Sequence, residues 1–399
     1  MGCKATLGEL CTFHRGASVP RARMFNSGNY LYIHYGDLYR GFEQRIDVED
    51  PAKPLPFILD SEKIKETQFL HDQDIVYVLT SETVDDLGHA FLFNNPRNRI
   101  AVSGTETTIV RIQRKDMVLP AYLNYVMQSP RFIAELRQYV RGMKVFRVHP
   151  NDVARISVDL PSLDKQAKVV AILDAIFEKR LINNRLNGYL AALGETMANR
   201  CSNETDGTLD DICSQSKETV SLEAAQLETY VSTENLLPNK AGLQLSAGLP
   251  TSGKVTRYRK GDTLVANIRP YFKKIWYATD EGTCSGDVIV FRANDARYAP
   301  YVFFSLCRDE FFEYVMLGAK GTKMPRGDKK QMMTFPICTN CNSTDLQLLQ
   351  ELASTIGTNH AENRQLARLR DTLLPKLMSG EIDVSKVDLT QLNSHLTDC

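Results

Sequence analysis

The sequence has no apolar run that approaches the roughly 18–20 residues of a membrane-spanning helix. Its nine cysteines are an odd number, are widely spaced, and follow no secretory signal peptide. This usage is typical of reduced thiols in the cytosol, so we predict a cytoplasmic protein without a membrane segment. Lysine and arginine together number 48 and equal the 48 acidic residues. Any basic surface for nucleic acid must therefore be local and balanced elsewhere.

Motifs of the common enzyme classes are also missing. There is no HExxH, no Gly-x-Ser-x-Gly and no Asn-Pro-Pro-Tyr box of amino-methyltransferases, to which Asn95–Arg97 is the nearest approach. Residues 248–254 nearly spell a phosphate-binding loop, but Val255 stands where Ser or Thr must hold Mg²⁺. Cys338 and Cys341 form a CxxC without a second pair, which favours two free thiols over a structural metal. We predict no catalytic residue and no metal.

An internal repeat is the strongest positive feature of the chain. Residues 121–148 align with residues 300–327 at a constant offset of 179 and without a gap. The repeat decides the architecture, because each copy is a structural unit of its own. The matched pairs include Tyr122 with Tyr301, Phe132 with Phe311, Gly142 with Gly321, Lys144 with Lys323, and Arg147 with Arg326. The same offset also pairs Asn184-Arg185 with Asn363-Arg364, beyond this stretch.

Short runs rich in β-branched and aromatic residues alternate with turn residues in both copies, which predicts two similar domains of short strands and some helix. One helix is expected from Pro120 to about Tyr139. The predicted segmentation is a first globular domain at 1–161, a helix at 162–203, a second globular domain at 204–342, a helix at 343–385 and a tail at 386–399. This is an α+β class with an internal pseudo-two-fold repeat.

Two long helices are predicted from apolar residues at helical spacing. The first is expected from about Lys165 to Asn199; the second begins with a capping box at Thr344–Gln347 and stops at Ser379-Gly380 after a disturbance at Pro375. Asparagines interrupt both stripes, which fits two helices paired with each other; the alternative is that each helix packs on its own domain with its asparagines in solvent. The residues expected to pack are Leu173, Ile176, Phe177, Leu186, Leu190, Leu352, Ile356, Leu366 and Leu373.

Basic side chains cluster beside glycines at repeat-equivalent positions, with aromatic residues interleaved. Such clusters suit close approach to phosphates and bidentate reading of guanine, although a single cluster could be only a solvated face. Loop sequences between the shared elements differ, as residues 79–82 and 267–274 do, which two recognition specificities would require. The DNA-binding candidates are Arg141, Lys144, Arg147, Arg257, Arg269, Tyr271, Lys273, Lys274, Lys320, Lys323 and Arg326.

Two segments resemble the specificity subunits of type I restriction–modification enzymes. Residues 369–384 look very like the second conserved region of that family. Residues 160–166 resemble the Pro-x-x-x-x-Gln start of its first conserved helix. The second copy departs from this pattern, because residues 335–341 lack the matching Gln.

The resemblance implies a non-catalytic scaffold. Two target-recognition domains would each read one half of a split DNA sequence, and the helices would form an antiparallel coiled coil that sets the gap. Two methyltransferase subunits and two restriction–translocase subunits would join the chain and carry S-adenosylmethionine, ATP and Mg²⁺, so no cofactor is expected on this chain. The alternative function is a coiled-coil protein-interaction scaffold with no DNA role.

Overall fold

The computed structural model describes residues 2–38, 42–50, 53–84, 87–201 and 205–387. The chain divides into two compact units. Unit 1 contains Met1–Ile176 together with Arg370–Cys399, and unit 2 contains Phe177–Leu369. The predicted tail at 386–399 lies outside the described residues from position 388 onward. The bounds of the five predicted segments stay predictions.

Unit 1 is built from short strands followed by helices. Its strands are β1 (Cys3–Thr6), β2 (Cys11–Arg15), β3 (Tyr30–Ile33), β4 (Arg45–Asp47), β5 (Phe57–Ile58), β6 (Ile75–Val78), β7 (Thr80–Ser81), β8 (Ala90–Asn94), β9 (Ala101–Ser103), β10 (Thr107–Ile112), β11 (Phe146–Arg147) and β12 (Ser157–Leu160). Its helices are α1 (Leu7–Leu10), α2 (Tyr35–Leu38), α3 (Pro120–Gln128), α4 (Pro130–Arg137), α5 (Pro150–Val153) and the start of α6 (Leu163–Cys201). Single 3₁₀ turns lie at Arg21–Arg23, Glu66–Gln68 and Val384–Lys386.

A five-stranded sheet in the order β2-β10-β6-β8-β4 forms the centre of unit 1. Its strands are antiparallel except for β4, which runs parallel to β8. Smaller sheets are β5-β3-β9, β1-β12 and β7-β11. One core lies between the central sheet and the helices, because residues of β6 and β10 are buried with Tyr122 and Phe132 of α3 and α4. The first turns of α6 complete this core through Val169 and Leu173.

Unit 2 repeats this plan with fewer strands. Its strands are β13 (Gly207–Thr208), β14 (Cys213–Gln215), β15 (Thr219–Ser221), β16 (Tyr230–Val231), β17 (Lys254–Tyr258), β18 (Thr263–Ala266), β19 (Ile275–Tyr277), β20 (Gly282–Cys284), β21 (Val288–Ala293) and β22 (Pro336–Ile337). Its helices are the rest of α6, α7 (Leu209–Ile212), α8 (Ala299–Cys307), α9 (Asp309–Leu317), α10 (Lys329–Met333) and most of α11 (Ser343–Ser379). Its 3₁₀ turns are Leu222–Ala224, Leu227–Thr229, Pro270–Phe272 and Ala296–Tyr298.

The central sheet of unit 2 has the order β14-β21-β18-β19, with every pair antiparallel. A second sheet has the order β15-β17-β20-β16, and β13 pairs with β22. The core contains Tyr301 and Phe311, the repeat partners of Tyr122 and Phe132. The predicted fold class, two similar mixed domains with two long helices, is therefore confirmed.

The single helix predicted over residues 120–139 is wrong. The chain forms α3 and α4, which are separated at Ser129, whose ψ of 145° is extended. Proline disfavours helical conformation in the residue before it, and Pro130 therefore ends α3. Unit 2 breaks at the equivalent point, Arg308, where no proline follows.

Helix α6 extends two residues beyond the predicted Lys165–Asn199 at each end, and α11 ends at Ser379, where a stop was predicted. Helix α6 begins at Leu163, and the buried side chain of Gln166 ties that start to the core. Its amide donates to the carbonyls of Met117 and Pro161 at 2.8 and 2.9 Å and accepts from the Leu119 N–H at 2.9 Å. This explains the Pro-x-x-x-x-Gln pattern by local hydrogen bonding.

Helix α11 lacks that glutamine and begins differently. Asn342 accepts from the Asp345 N–H at 2.8 Å, and its side-chain amide donates to the Asp345 carboxylate at 2.6 Å. The capping box predicted at Thr344–Gln347 is therefore wrong by two residues. The helix continues past Pro375 to Ser379, and Gly380 follows with a φ of 75°.

Within unit 2 the helices α6 and α11 pair through their asparagines. Asn183 is 2% exposed and donates to Glu362 at 2.7 Å and to Asn363 at 3.0 Å. Farther along α6, Asn187 accepts from Asn359 at 2.7 Å. Contact positions fall on α11 as they rise on α6, so the helices run antiparallel. This confirms paired helices. Asn184 is exposed, but it also contacts the other helix, because it accepts from Asn363 at 2.8 Å.

The residues expected to pack along the helices have different environments. Leu173, Ile176, Leu352 and Ile356 are buried, and Leu190 and Leu373 are half-buried against the cores of units 2 and 1 respectively. Phe177 and Leu366 are half-buried as well. Leu186 is 41% exposed. None of the helices in the described ranges is long and apolar enough to cross a membrane.

Candidate nucleic-acid interface

A tight basic hairpin, residues 141–147, follows helix α4 in unit 1. Arg141 and Arg147 exchange two backbone hydrogen bonds of 2.9 and 2.8 Å. Gly142 has a φ of 121°, and a Cβ there would lie 2.1 Å from the Val145 carbonyl oxygen, so the turn requires glycine. The tip exposes Lys144 beside Met143. We call these residues hairpin 1.

Residues 320–326 form the same structure in unit 2 and are called hairpin 2. Lys320 and Arg326 exchange two backbone hydrogen bonds of 2.9 Å, and Gly321 has a φ of 99°. Lys323 is exposed at its tip. The gap-free alignment therefore corresponds to matched hairpins, position for position.

Each hairpin is anchored to the loop that follows the central strand of its unit. In unit 1, β11 pairs with β7, and the Val148 N–H donates to the Leu79 carbonyl at 3.0 Å. In unit 2, Arg326 forms an antiparallel β-bridge with Ile268, and the Gly327 N–H donates to the Asn267 carbonyl at 3.3 Å. Residues 79–84 are called loop 1 and residues 267–274 loop 2. Hairpin and loop thus lie side by side in both units.

A matched ion pair orients the last arginine of each hairpin. Arg147 lies 3.9 Å from Glu106, which precedes β10. Arg326 lies 3.2 Å from Asp287, which precedes β21. All four side chains are partly exposed, so these pairs contribute little to stability. They hold two guanidinium groups beside the loops.

Loop 2 has an unusual backbone. Arg269 and Lys273 both adopt left-handed conformations, with φ of 51° and 50°, on either side of the 3₁₀ turn Pro270–Phe272. The Arg269 N–H donates to the Pro325 carbonyl of hairpin 2 at 2.8 Å. Tyr271 is 47% exposed, and its ring centroid lies 4.7 Å from that of Phe272. The turn therefore presents one guanidinium and two aromatic rings together.

The predicted DNA-binding cations are not equally available. Among the described residues, Arg269, Lys144 and Lys323 are exposed and have no acidic partner within ion-pair distance. Lys273 pairs with Asp309 at 2.8 Å. Lys274 donates to the Thr233 carbonyl at 2.6 Å, and burial lowers its pKa.

The remaining predicted cations have acidic neighbours. Arg257 lies on β17, in the second sheet of unit 2, at 3.9 Å from Glu218 and 3.4 Å from Glu281. Arg141 lies 3.4 Å from Asp152, and Lys320 lies 3.8 Å from Asp328. The structure brings loop 2 and hairpin 2 together, whereas the two ion-pair partners of Arg257 belong to neither.

Two sets of structural residues were missed from the sequence. One is a matched set of two ion pairs with buried carboxylates, Arg111 with Asp74 and Arg292 with Asp262, at the central sheets. They occupy equivalent strands, so extending the repeat alignment with other offsets would have found them. The other is Lys240, which reaches loop 2 from a distant segment and has no counterpart in the alignment.

The described residues contain no group of three or more His, Cys, Asp and Glu side chains that could hold a metal ion. Cys338 and Cys341 are buried. Burial raises the pKa of the Cys11, Cys213 and Cys284 thiols to about 12, which makes them poor nucleophiles. The interface just described is therefore one of cations, aromatic rings and backbone.

No protein-family model matches the sequence, and no curated protein matches it. Solved structures do match. The S subunit of a type I restriction–modification system from M. genitalium is 12% identical over 94% of this chain and 96% of its own, with a TM-score of 0.56.

Two further structures match over almost their full length. A chain from a study of assembly and conformational transition in the type I R-M system is 16% identical over 96% of this chain and 98% of its own, with a TM-score of 0.42. The HsdS subunit from Thermoanaerobacter tengcongensis is 14% identical over 96% and 97%, with a TM-score of 0.34. On the strength of the M. genitalium structure, this chain has the fold of a type I restriction–modification S subunit.

Proposed function

We propose that this chain is the DNA-specificity subunit of a type I restriction–modification complex. Units 1 and 2 act as target-recognition domains, and each reads one half of a bipartite DNA sequence. The chain itself catalyses no reaction; methylation, ATP hydrolysis and cleavage belong to partner subunits, which carry S-adenosylmethionine, ATP and Mg²⁺.

One observation carries this proposal. Hairpins 1 and 2 share their backbone bridges and their ion-paired arginine, and each exposes one lysine without an acidic partner among the described residues. A conserved cationic frame supports two equivalent contacts to a repeating polyanion, because phosphates are alike along DNA. The adjoining loops differ in sequence and in backbone, as reading two different base sequences requires.

The two kinds of contact have separate roles. Lys144 and Lys323, at the hairpin tips, bind phosphates and set the register. Arg269 and Tyr271 of loop 2 contact bases, since a guanidinium can pair bidentately with guanine. Lys273 and Lys274 are paired within the protein. They therefore do not contact DNA directly and contribute only to the electrostatic potential of loop 2.

An exposed apolar stripe on α6 supports the proposal that a partner protein docks on the paired helices. Its members lie at helical spacing and are 41–75% exposed: Ile182, Leu186, Tyr189 and Leu193. Exposed apolar patches on a helix are typical of protein interfaces. The repeat-equivalent residues of α11 are mostly polar: Ala361, Gln365, Arg368 and Thr372. We propose that methyltransferase subunits dock on the paired helices, that two such subunits and two restriction–translocase subunits complete the assembly, and that the complex works in the cytoplasm.

The test is to co-express the chain with the methyltransferase subunits and to map methylated adenines in cellular DNA. We expect methylation within one bipartite sequence with a fixed gap. Salt-dependent binding of duplex DNA by the chain with and without these subunits completes the measurement. Assembly with partners but no DNA binding at low salt would favour the protein-interaction scaffold and overturn the proposal.

The stripe has its own test in the same system. The double variant Leu186→Gln with Tyr189→Arg introduces polar residues at exposed positions and should weaken capture of the methyltransferase subunit. Leu249→Gln, at a leucine of unit 2 that is 39% exposed and lies outside both helices, serves as the control. Equal capture by the wild type, the double variant and the control would remove the stripe from the docking surface.

A further inference from the structure

Loop 2 is held from its far side by a segment of unit 2 that the DNA-binding proposal does not use. The Asn239 N–H donates to the Phe272 carbonyl and the Lys240 N–H to the Lys273 carbonyl, both at 2.9 Å. These bonds occupy the end of the 3₁₀ turn that is opposite to hairpin 2. The turn is therefore fixed between two supports, hairpin 2 at Arg269 and the 239–240 segment at Lys273.

The Lys240 ammonium joins three elements at this support. It lies 2.9 Å from Glu195 on α6 and 3.2 Å from Asp309 at the start of α9. Asp309 in turn lies 2.8 Å from Lys273 of loop 2. The Lys240 and Glu195 side chains are only 21% and 22% exposed. Partly buried, chained pairs of this kind are less screened by solvent than isolated surface pairs.

The backbone at this support is strained. Asn239, Lys240, Arg269 and Lys273 all have φ between 50° and 61°. Non-glycine residues are disfavoured in this region because Cβ crowds the neighbouring carbonyl oxygen, and they persist only where the surroundings hold them. Four such residues within one contact network indicate that loop 2 depends on its supports for its shape. Lys240 supplies both a backbone bond and an ion pair to that network.

We propose that Lys240 is a positioning residue for sequence reading by unit 2. Its ammonium, held between Glu195 and Asp309, fixes the end of loop 2 so that Arg269 and Tyr271 are presented in one orientation. Lys240 itself contacts no base. This inference rests on the proposed function and adds to it a residue that sets specificity without touching DNA.

Unit 1 uses a different support. Loop 1 is held by strand pairing, Phe146 with Ser81 and Arg147 with Thr80. Pro130 stands at the repeat position of Asp309, so the acid that pairs with Lys273 is absent there. A defect in the Lys240 network should therefore be confined to one half-site.

The experiment uses the full chain in complex with its methyltransferase subunits. Lys240→Met keeps the length of the side chain and removes its charge; Lys217→Met, at an exposed lysine of the same unit, is the matched control. Duplexes randomised at the bases of both half-sites are selected by the wild type and by each variant. We expect Lys240→Met to lose about tenfold in discrimination at one half-site, as a misplaced bidentate contact would, and to keep the other half-site unchanged.

A second readout reports the loop directly. Hydrogen exchange of the Phe272 and Lys273 amides should accelerate in Lys240→Met, while amides of hairpin 1 should not change. Lys240→Arg should restore both the exchange protection and the discrimination, because a guanidinium can bridge the same two carboxylates. A residue with a merely structural role would lower the melting temperature and weaken binding to all sequences equally.

Two outcomes overturn the inference and can be told apart from failure of the proposed function. If the wild type selects a bipartite sequence and Lys240→Met selects it with the same discrimination, Lys240 has no positioning role. A uniform loss at both half-sites would have the same meaning. If the wild type selects no sequence, the proposed function itself fails, and the inference fails with it.

Discussion

Units 1 and 2 have the same frame and different loops. In unit 1, Arg111 on β10 donates to Asp74 from Nε at 3.0 Å and from Nη2 at 2.7 Å. In unit 2, Arg292 on β21 donates to Asp262 from the same atoms at 2.9 and 2.7 Å. Both carboxylates are buried. A bidentate pair at the same place in each central sheet shows that the repeat extends into the strand frame.

The loops on this frame are built by different means. Loop 1 is short β-structure, in which β7 pairs with β11. Loop 2 is a 3₁₀ turn between two left-handed residues. It is held by the ion pair of Lys273 with Asp309 and by the backbone hydrogen bond from Lys240 to Lys273. A shared frame keeps the two hairpins equivalent, while loops that can be changed independently allow two different target sequences. The following variants test where the equivalence ends.

The largest effect is expected from breaking the shared pair. Arg111→Met leaves Asp74 buried without its partner, and Arg292→Met does the same to Asp262. Removing one member of a buried pair costs about 3–5 kcal/mol in unfolding free energy. Both variants should lose a similar amount in urea denaturation. Arg297→Met, which removes an exposed pair with Asp295, should leave the free energy of unfolding nearly unchanged. A large loss in only one unit would show that the frames are not equivalent.

A smaller effect, confined to one loop, is expected from Arg269→Ala. If this guanidinium reads a base edge, specific binding should weaken by roughly 1–3 kcal/mol and base preference should relax at one position. The measurement is a titration of target and single-base-changed duplexes with the assembled complex. Arg297→Ala is the exposed control in the same unit. Unchanged affinity together with an unchanged target sequence would remove Arg269 from the base contacts.

Sequence reasoning found the frame because the repeat preserves it. The hairpins align without a gap, and the glycines at their turns are required by positive φ. The break at Ser129 has a signal in the sequence, the proline that follows it. The break at Arg308 carries no such signal, so only the packing of α8 and α9 reveals it.

The candidate site was less predictable, because the availability of each cation depends on contacts between residues that are far apart in the sequence. Lys273 and Lys274 look like DNA contacts by composition, yet one pairs with Asp309 and the other with a backbone carbonyl. Lys240 and Glu195 are 45 residues apart in the chain, and no local pattern joins them. Which cation is free to bind a ligand depends on partners that the sequence does not place.

His360 of α11 is expected to make the free energy of unfolding depend on pH, whereas α6 has no histidine at the equivalent position. Burial lowers its pKa from 6.5 to about 4, and Arg364 adds to the shift. The unfolded chain then binds the proton first, so stability is complete above about pH 6.5 and falls between about pH 6.5 and 4. The full shift corresponds to about 3 kcal/mol; because the side chain is only half-buried, we expect about 1–2 kcal/mol.

The other copy supplies the variant for this test. Leu181 occupies the repeat position of His360, so His360→Leu replaces one copy's residue with the other's. Urea denaturation between pH 4 and pH 7 should show a shallower pH dependence for the variant than for the wild type. Parallel stability curves over this range would mean that His360 does not titrate with the predicted sign.

The smallest effects are expected at the hairpin tips. Lys144→Ala and Lys323→Ala each remove one exposed cation from equivalent positions. If each lysine binds a phosphate, each variant should weaken binding to all sequences alike and reduce the slope of log affinity against log salt by about 1. The double variant should reduce it by about 2, because the two hairpins lie on different units and contact different phosphates. Lys217→Ala is the control and should leave the slope unchanged. If a variant altered the target sequence but kept the salt slope, its lysine would contact a base and not a phosphate. If only one of the two variants changed the salt slope, the two units would share a fold but not an equivalent phosphate contact.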